Sequence, residues 1–231
     1  MEIGDIELKW LGHAGFLIAS ADVPSAEGKK GKVIYIDPYQ IPDGSEKADL
    51  ILITHSHYDH CSVEDLMKIV QSGTRILVPA DCQSKILKFD VPVKIEIVEP
   101  GQELDLPEIK VSVLHAYNID KPFHPKEEGW VGYLVKMKGV LIYHAGDTDN
   151  IPEMQKLTGY QQSGVEFVAL LPVGGRFTMT AEEAVEAAGV IKPSLAIPMH
   201  YGVVSGTEED AKEFFALCME QGLNSRVLEK E

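Results

Sequence analysis

The chain has 231 residues, of which 45% are hydrophobic and 25% are charged. It can therefore bury a large core, and we expect a single domain over residues 1–231. The formal charge of −15 disfavours binding to long nucleic acids, because an acidic surface repels phosphates. The sequence shows neither a membrane-length apolar run nor a signal core, and the spacing of Cys61, Cys82 and Cys218 matches no disulfide framework. We expect a cytoplasmic protein with reduced thiols.

Short apolar runs rich in valine and isoleucine recur along the chain, each of strand length and bounded by turn residues. The predicted strands are Ile6–Trp10, Gly15–Ala19, Val33–Asp37, Leu50–Thr54, Arg75–Val78, Val93–Val98, Lys110–Leu114, Trp130–Met137, Val140–Tyr143, Val165–Leu171 and Leu195–Pro198. The polar segment Ala21–Gly31 is interpreted as a hairpin loop, since strand patterns flank it on both sides.

Four main helices are predicted between particular strands. Ser62, Thr180 and Thr207 are N-cap candidates, each with an acidic residue three positions later and an apolar stripe beyond. Asp81–Phe89 is the fourth prediction, and a shorter helix is expected near Pro152–Leu157. Strands in meanders with interposed helices indicate an α+β fold, a four-layer α/β/β/α sandwich.

The segment Thr54–His60, "THSHYDH", places three histidines and an aspartate between a predicted strand and a predicted helix. Such a loop can turn all four side chains inward, with His55 and His57 on one ion and Asp59 and His60 on a second. Neutral imidazole and carboxylate suit zinc, manganese or iron. Buried imidazoles without a metal would be costly, so a purely structural role is disfavoured.

Two further candidates follow later strands. Asp147, in "YHAGDTD", comes after Val140–Tyr143, and its carboxylate could bridge two cations. His200, in "AIPMHYG", comes after Leu195–Pro198, where side chains point into sites built at sheet edges.

These motifs resemble those of the metallo-β-lactamase superfamily. Its H-x-H-x-D-H signature matches His55, His57, Asp59 and His60, its later G-D matches Gly146 and Asp147, and its final histidine matches His200. The similarity covers the chain from Trp10 to about Phe215. Within the superfamily, "WLGHAGFLI", "IDPY", "IYHAGDT" and "LLPVGGRFTMTAEEA" look like small proteins related to ascorbate-6-phosphate lactonases.

The resemblance implies one more histidine ligand, and both His115 and His124 are candidates. His115 directly follows a predicted strand, but the superfamily often places its ligand after a further turn, which favours His124. His115 is then expected to pack in the core or to orient a ligand.

Several residues near the motifs have two interpretations. His13 resembles the family's N-terminal histidine at the site's edge, Arg176 could hold an anionic group, and Tyr201 could donate a hydrogen bond near the site. Each could equally be an ordinary structural or surface residue. His144 and Asp37 are expected to support the site rather than bind metal.

The resemblance implies a binuclear hydrolase, with Asp59 orienting a metal-bound hydroxide and returning a proton to the leaving group. The expected substrate is a small anionic metabolite, a lactone or ester, phosphorylated or not. The alternatives are a phosphodiesterase or nuclease acting on short substrates and a non-catalytic metal-binding module. Zinc is the first expectation for the two divalent ions, with manganese or iron as alternatives. No membrane partner is expected, and homo-oligomerisation stays open.

Overall fold

A computed structural model describes residues 1–20, 31–86, 89–161 and 165–231. In these residues the chain forms two β-sheets packed face to face. The first sheet has seven strands whose spatial order is their chain order: β1 (Glu2–Ile3), β2 (Ile6–Gly12), β3 (Gly15–Ser20), β4 (Val33–Ile36), β5 (Leu50–Leu52), β6 (Arg75–Val78) and β7 (Lys94–Ile97). The pairs from β1 to β4 are antiparallel, and those from β4 to β7 are parallel.

The second sheet has six strands in the order β13-β12-β11-β10-β9-β8. They are β8 (Glu103–Leu106), β9 (Ile109–His115), β10 (Val131–Met137), β11 (Val140–His144), β12 (Glu166–Pro172) and β13 (Leu195–Met199). The strands β11, β12 and β13 are parallel, so their carboxyl ends lie at one edge of the sheet.

Three α-helices are present in the described residues: α1 (Val63–Ile69), α2 (Ala181–Ile191) and α3 (Glu208–Glu220). Each begins at its predicted N-cap, where the side chain of Ser62, Thr180 or Thr207 accepts a hydrogen bond from the third amide of the helix. Each cap accepts a hydrogen bond from an amide that the helix itself leaves without a partner, and so it fixes where the helix starts.

The buried side chains define four layers. Along β3 and β4, Phe16, Ile18, Ile34 and Ile36 belong to the large core that also contains the second sheet, α2 and α3. The alternate residues, such as Tyr35, face a second cluster that contains α1. Because successive strand residues point to opposite faces, both faces of the first sheet are covered. The predicted α/β/β/α sandwich is confirmed.

Two details of the sequence prediction were wrong. The short strands β1 and β8 were not predicted, and Asp81–Phe89 does not form a helix. A 3₁₀ turn over Ala80–Cys82 and further turns to residue 86 replace it, with residues 87–88 outside the described part. Asp81 is held by the Trp130 indole and Lys85 by the Ser56 carbonyl, so tertiary contacts outweigh a short helix that is marginal alone.

The predicted helix at Pro152–Leu157 is a 3₁₀ helix, and another 3₁₀ turn spans Lys126–Glu128. The predicted hairpin loop Ala21–Gly31 lies outside the described residues except for Gly31. Among the helices that the structure describes, none combines the length and apolarity needed to cross a membrane.

Candidate metal centre

The predicted metal-binding residues meet at one end of the two sheets. The loop between β5 and α1 contributes four of them, and the segments following β9, β11 and β13 contribute His124, Asp147 and His200. The turn between β2 and β3 adds His13. Residues as distant in the sequence as His13 and His200 thus converge, because the loops that carry them lie at the same end of the two sheets.

The first group consists of three imidazoles whose candidate ligand atoms lie within 4.8 Å of one another. His57 Nδ1 is 3.0 Å from His55 Nε2 and 3.2 Å from His124 Nε2. The rings of His55 and His124 are buried, and that of His57 is half-buried. Three nitrogens at this spacing can face a single ion.

The second group contains His13, Asp59, His60 and His200, all buried and again within 4.8 Å of one another. Asp59 Oδ2 lies 2.8 Å from His13 Nε2 and 3.6 Å from His60 Nε2. The structure therefore places His200 and His13 beside the predicted pair Asp59 and His60, although His13 was expected only at the edge of the site.

Asp147 lies between the two groups. Its Oδ2 atom is 3.2 Å from His124 Nε2 and 3.0 Å from His200 Nε2, and its Oδ1 atom is 3.4 Å from His60 Nε2. One carboxylate thus touches imidazoles of both groups. This position is the one that a carboxylate bridging two cations would occupy.

Gly146 sets the position of Asp147. Its φ is +68°, and a Cβ atom there would lie 2.7 Å from the Val131 carbonyl oxygen. Only glycine accommodates both the left-handed backbone and this close approach. The G-D motif therefore has a local steric reason.

Four buried atoms at the centre have no hydrogen-bond partner in the described residues: His13 Nδ1, His60 Nε2, Asp147 Oδ1 and His200 Nε2. Buried polar atoms are almost always satisfied, and leaving one unpaired costs about 1–3 kcal/mol. Apart from His13 Nδ1, these atoms face the space between the ligand groups. The donor set, imidazole nitrogen and carboxylate oxygen, fits divalent metal ions.

The charges also suit cations. Burial opposes ionisation of Asp147, yet the neighbouring His200, His60 and His124 hold the pKa of its carboxyl well below the usual range. Burial similarly opposes the charge on Asp59, but the hydrogen bond to His13 lowers its pKa to about 2. Burial keeps the pKa of His55 well below its ordinary value. Anionic carboxylates and neutral imidazole are the ligating forms.

Residues behind the ligands fix their orientation. Asp37 is fully buried and accepts hydrogen bonds from His60 Nδ1 at 2.8 Å and from the Thr54 amide at 2.8 Å. His144 Nε2 donates to the Ala14 carbonyl at 2.8 Å, away from the ligand groups. Asp37 therefore orients the His60 imidazole, whereas His144 bonds to the backbone, and the supporting role of both residues stays a prediction.

Backbone strain is concentrated at the centre. Eight non-glycine residues in the described part have positive φ, and four of them belong here: His13 at 52°, Asp37 at 45°, His124 at 56° and His200 at 62°. Such conformations cost of order 1–3 kcal/mol each and persist where the surrounding structure imposes them, often at functional sites. The ligands are held by the fold rather than by local preference.

His115 and His124 are clearly separated. His115 ends β9 half-buried, with its ring 6.2 Å from that of Tyr117, and it lines a different cavity. His124 is buried beside His55 and His57 because the loop folds back: the Asn118 amide donates to the His124 carbonyl at 2.8 Å. The structure brings His124, and not His115, to the first group.

Sequence reasoning missed Trp130. Its ring centroid lies 4.8 Å from those of His55 and His57 and 5.3 Å from that of His124, and its Nε1 donates to Asp81 at 2.8 Å. The indole therefore packs against all three imidazoles of the first group. Its position just before β10 gave no signal of this role, because the contacts are long-range.

The other candidates surround the centre. Arg176 is exposed and stacks 4.9 Å over Phe177, whose carbonyl accepts a hydrogen bond from His124 Nδ1. The Tyr201 ring stacks on Trp10, with their centroids 4.7 Å apart. Both Tyr201 and His13 line a cavity of about 680 Å³.

Comparison with known proteins decides the family. A profile of the β-lactamase superfamily domain matches residues 7–200. The chain belongs to the metallo-β-lactamase superfamily. A UPF0173 metal-dependent hydrolase of Thermoplasma acidophilum is 34% identical over 221 residues, covering 93% of this chain and 91% of that protein. One from Thermococcus kodakarensis is 34% identical over 224 residues and covers 90% of each chain. The chain is thus a metal-dependent hydrolase of the UPF0173 type.

Solved structures agree with this fold. A protein of Parabacteroides distasonis, provisionally described as a metal-dependent hydrolase, superimposes with a TM-score of 0.80 at 26% identity, covering 98% of this chain and 94% of that one. The metallo hydrolase Igni18 of Ignicoccus hospitalis gives a TM-score of 0.72 at 24% identity, covering 97% and 95%. The superfamily resemblance is confirmed, while the narrower similarity to ascorbate-6-phosphate lactonases stays a prediction.

Proposed function

We propose that this hydrolase uses two divalent metal ions to cleave a lactone or ester bond in a small anionic metabolite. The observation that carries the proposal is Asp147, whose two carboxylate oxygens face imidazoles of both ligand groups. One ion would need only one of the two ligand groups, whereas two ions joined by a shared carboxylate would use both. The position of Asp147 between the groups therefore favours two ions.

The residues divide between the two ions by proximity. His55, His57 and His124 would hold the first, His60, His200 and Asp59 would hold the second, and Asp147 would join them. Zinc is the metal that we propose, because tetrahedral nitrogen and oxygen sets suit it, with manganese and iron as alternatives. When bound, two such ions make water nucleophilic at neutral pH and polarise the oxygen of the bond under attack.

Asp59 has the properties of the proton-transferring group. Its pKa of about 2 keeps the carboxylate anionic at neutral pH, so it would accept a hydrogen bond from the attacking water and orient it. His13 Nε2, 2.8 Å from Asp59 Oδ2, fixes the orientation of this carboxylate. The proton released by the attacking water would pass along this carboxylate to the leaving oxygen.

The surroundings favour a small substrate reached from one side. Trp130 covers the first group with an apolar ring and excludes water behind the three imidazoles. Tyr58, in the ligand loop itself, is 63% exposed and marks the open side. We also propose a cytoplasmic location, supported by three buried free thiols, which suit a reducing compartment.

The test combines elemental analysis with a substrate panel. Purified protein loaded with zinc, manganese or iron is assayed with a lactone, a carboxylic ester, a phosphodiester and a short RNA, and Asp59→Asn serves as the matched control. We expect two ions per chain and turnover of the lactone or ester only. Exclusive turnover of the phosphodiester or RNA would replace our proposal with a phosphodiesterase, and full metal occupancy without any turnover would favour a non-catalytic binding module.

A further inference from the structure

A cavity of about 680 Å³ adjoins the second ligand group. His13 lies in its wall, and the same imidazole is 2.8 Å from Asp59, so the cavity begins one side chain away from the proposed ions. Trp10 and Tyr201 form an aromatic surface there, with stacked rings 4.7 Å apart. Val203, Val227 and Leu228 add apolar walls.

Lys230 places a positive charge in this cavity. The backbone of its segment is fixed against β2, because the Glu231 amide donates to the Trp10 carbonyl at 3.0 Å and Trp10 and Lys230 form a parallel bridge. The backbone that carries this lysine is therefore fixed beside the cavity.

Gly12 makes room for the lysine stem. A Cβ atom on Gly12 would lie 3.0 Å from Lys230 Cε and 3.3 Å from its Nζ, and the φ of +97° also favours glycine. The lysine side chain consequently packs over the residue that immediately precedes His13. The lysine and His13 line the same cavity.

Lys230 is exposed, and Glu208 and Glu229 line the same cavity without forming an ion pair with it in the described residues. In the described ranges no carboxylate is paired with its ammonium, although the chain carries a formal charge of −15. The other lysine of the cavity, Lys212, is paired with Glu209 at 2.6 Å, and Glu208 lies near it too. A ligand oxyanion is the partner that Lys230 lacks.

We propose that this cavity binds the anionic tail of the substrate, with the Lys230 ammonium pairing with a carboxylate or phosphate group. The inference rests on the proposed function, since the scissile carbonyl would lie at the metal centre beyond His13. The substrate class is then an ester or lactone with an apolar body and a terminal oxyanion.

The test uses hydroxamates, which bind active-site metals through one end. Zinc-loaded protein is titrated calorimetrically with alkyl hydroxamates and with chains of equal length that end in a carboxylate, a phosphonate or an ammonium group. We expect one oxyanion tail to bind about fivefold more tightly than the neutral tail, as for a partly exposed charge pair. The carboxylate and phosphonate arms identify which oxyanion fits.

Lys230→Met should abolish this advantage without changing the affinity for the alkyl hydroxamate or the metal content. Lys230→Arg should retain most of it, and Lys110→Met, which removes an exposed lysine charge on β9, is the matched control. Equal binding of charged and neutral tails, or an advantage that survives Lys230→Met, would overturn the inference while leaving the metal centre intact. Tightest binding of the ammonium tail would assign the cavity to cations through Glu229. If no hydroxamate binds, the proposed metal centre itself fails.

Discussion

Replacing His124 with alanine tests the ligand assignment most directly. The imidazole would supply one of the four side chains proposed to hold the first ion, and its Nε2 lies 3.2 Å from both His57 Nδ1 and Asp147 Oδ2. Zinc binding by four protein ligands is worth about 10–16 kcal/mol, or roughly 2.5–4 kcal/mol per ligand. The loss of one ligand should therefore weaken the first ion by about a hundredfold to a thousandfold.

The assay is competition with a chromophoric chelator, followed by elemental analysis after dialysis. We expect His124→Ala to retain one ion, held by the second group, and to lose the other. His115→Ala is the matched control and should retain both ions, because the half-buried His115 ring lies beside Tyr117 and belongs to neither ligand group. Loss of one ion from His115→Ala, together with full retention by His124→Ala, would refute the assignment.

Four further outcomes follow from the same geometry. Asp59→Asn should lower turnover more than metal content, and equal losses would make Asp59 chiefly a ligand. Trp130→Phe should weaken only the first ion, by about tenfold, measured by chelator competition; an unchanged affinity would contradict the positioning role. Gly146→Ala should lower the free energy of unfolding of the metal-free protein in urea by more than the ~1–2 kcal/mol that a left-handed alanine costs. Gly159→Ala, which has open space around it, should lower this free energy by ~1–2 kcal/mol and no more. Despite burial, Asp147 and Asp37 raise the pKa of His60 in the metal-free protein, so a bound metal must displace the proton of this imidazole. The affinity for metal should therefore rise about tenfold per pH unit below that pKa. Calorimetric titrations in buffers of different ionisation enthalpy measure the proton release, and its absence would contradict this prediction.

The strands and helix starts are largely determined by local sequence. The strand predicted at Arg75–Val78 has those bounds in the structure, and α1, α2 and α3 begin at the predicted caps. Both signals depend on near neighbours, namely side-chain alternation and a hydrogen bond to an amide three residues away. The loop from His55 to His60 could also be predicted from neighbouring residues, because it lies between a predicted strand and a predicted helix cap.

Only the tertiary structure decided the rest. His13 reaches Asp59 across 46 residues, and Trp130 packs on imidazoles from two separate loops. The failed helix at Asp81–Phe89 shows the same dependence, since Asp81 bonds Trp130 across 49 residues. Long-range contacts of this kind leave no periodic trace in the sequence, because their partners meet only after the two sheets have packed. The sequence alone therefore determined the ligand types and the framework, whereas packing decided which side chains complete the metal centre.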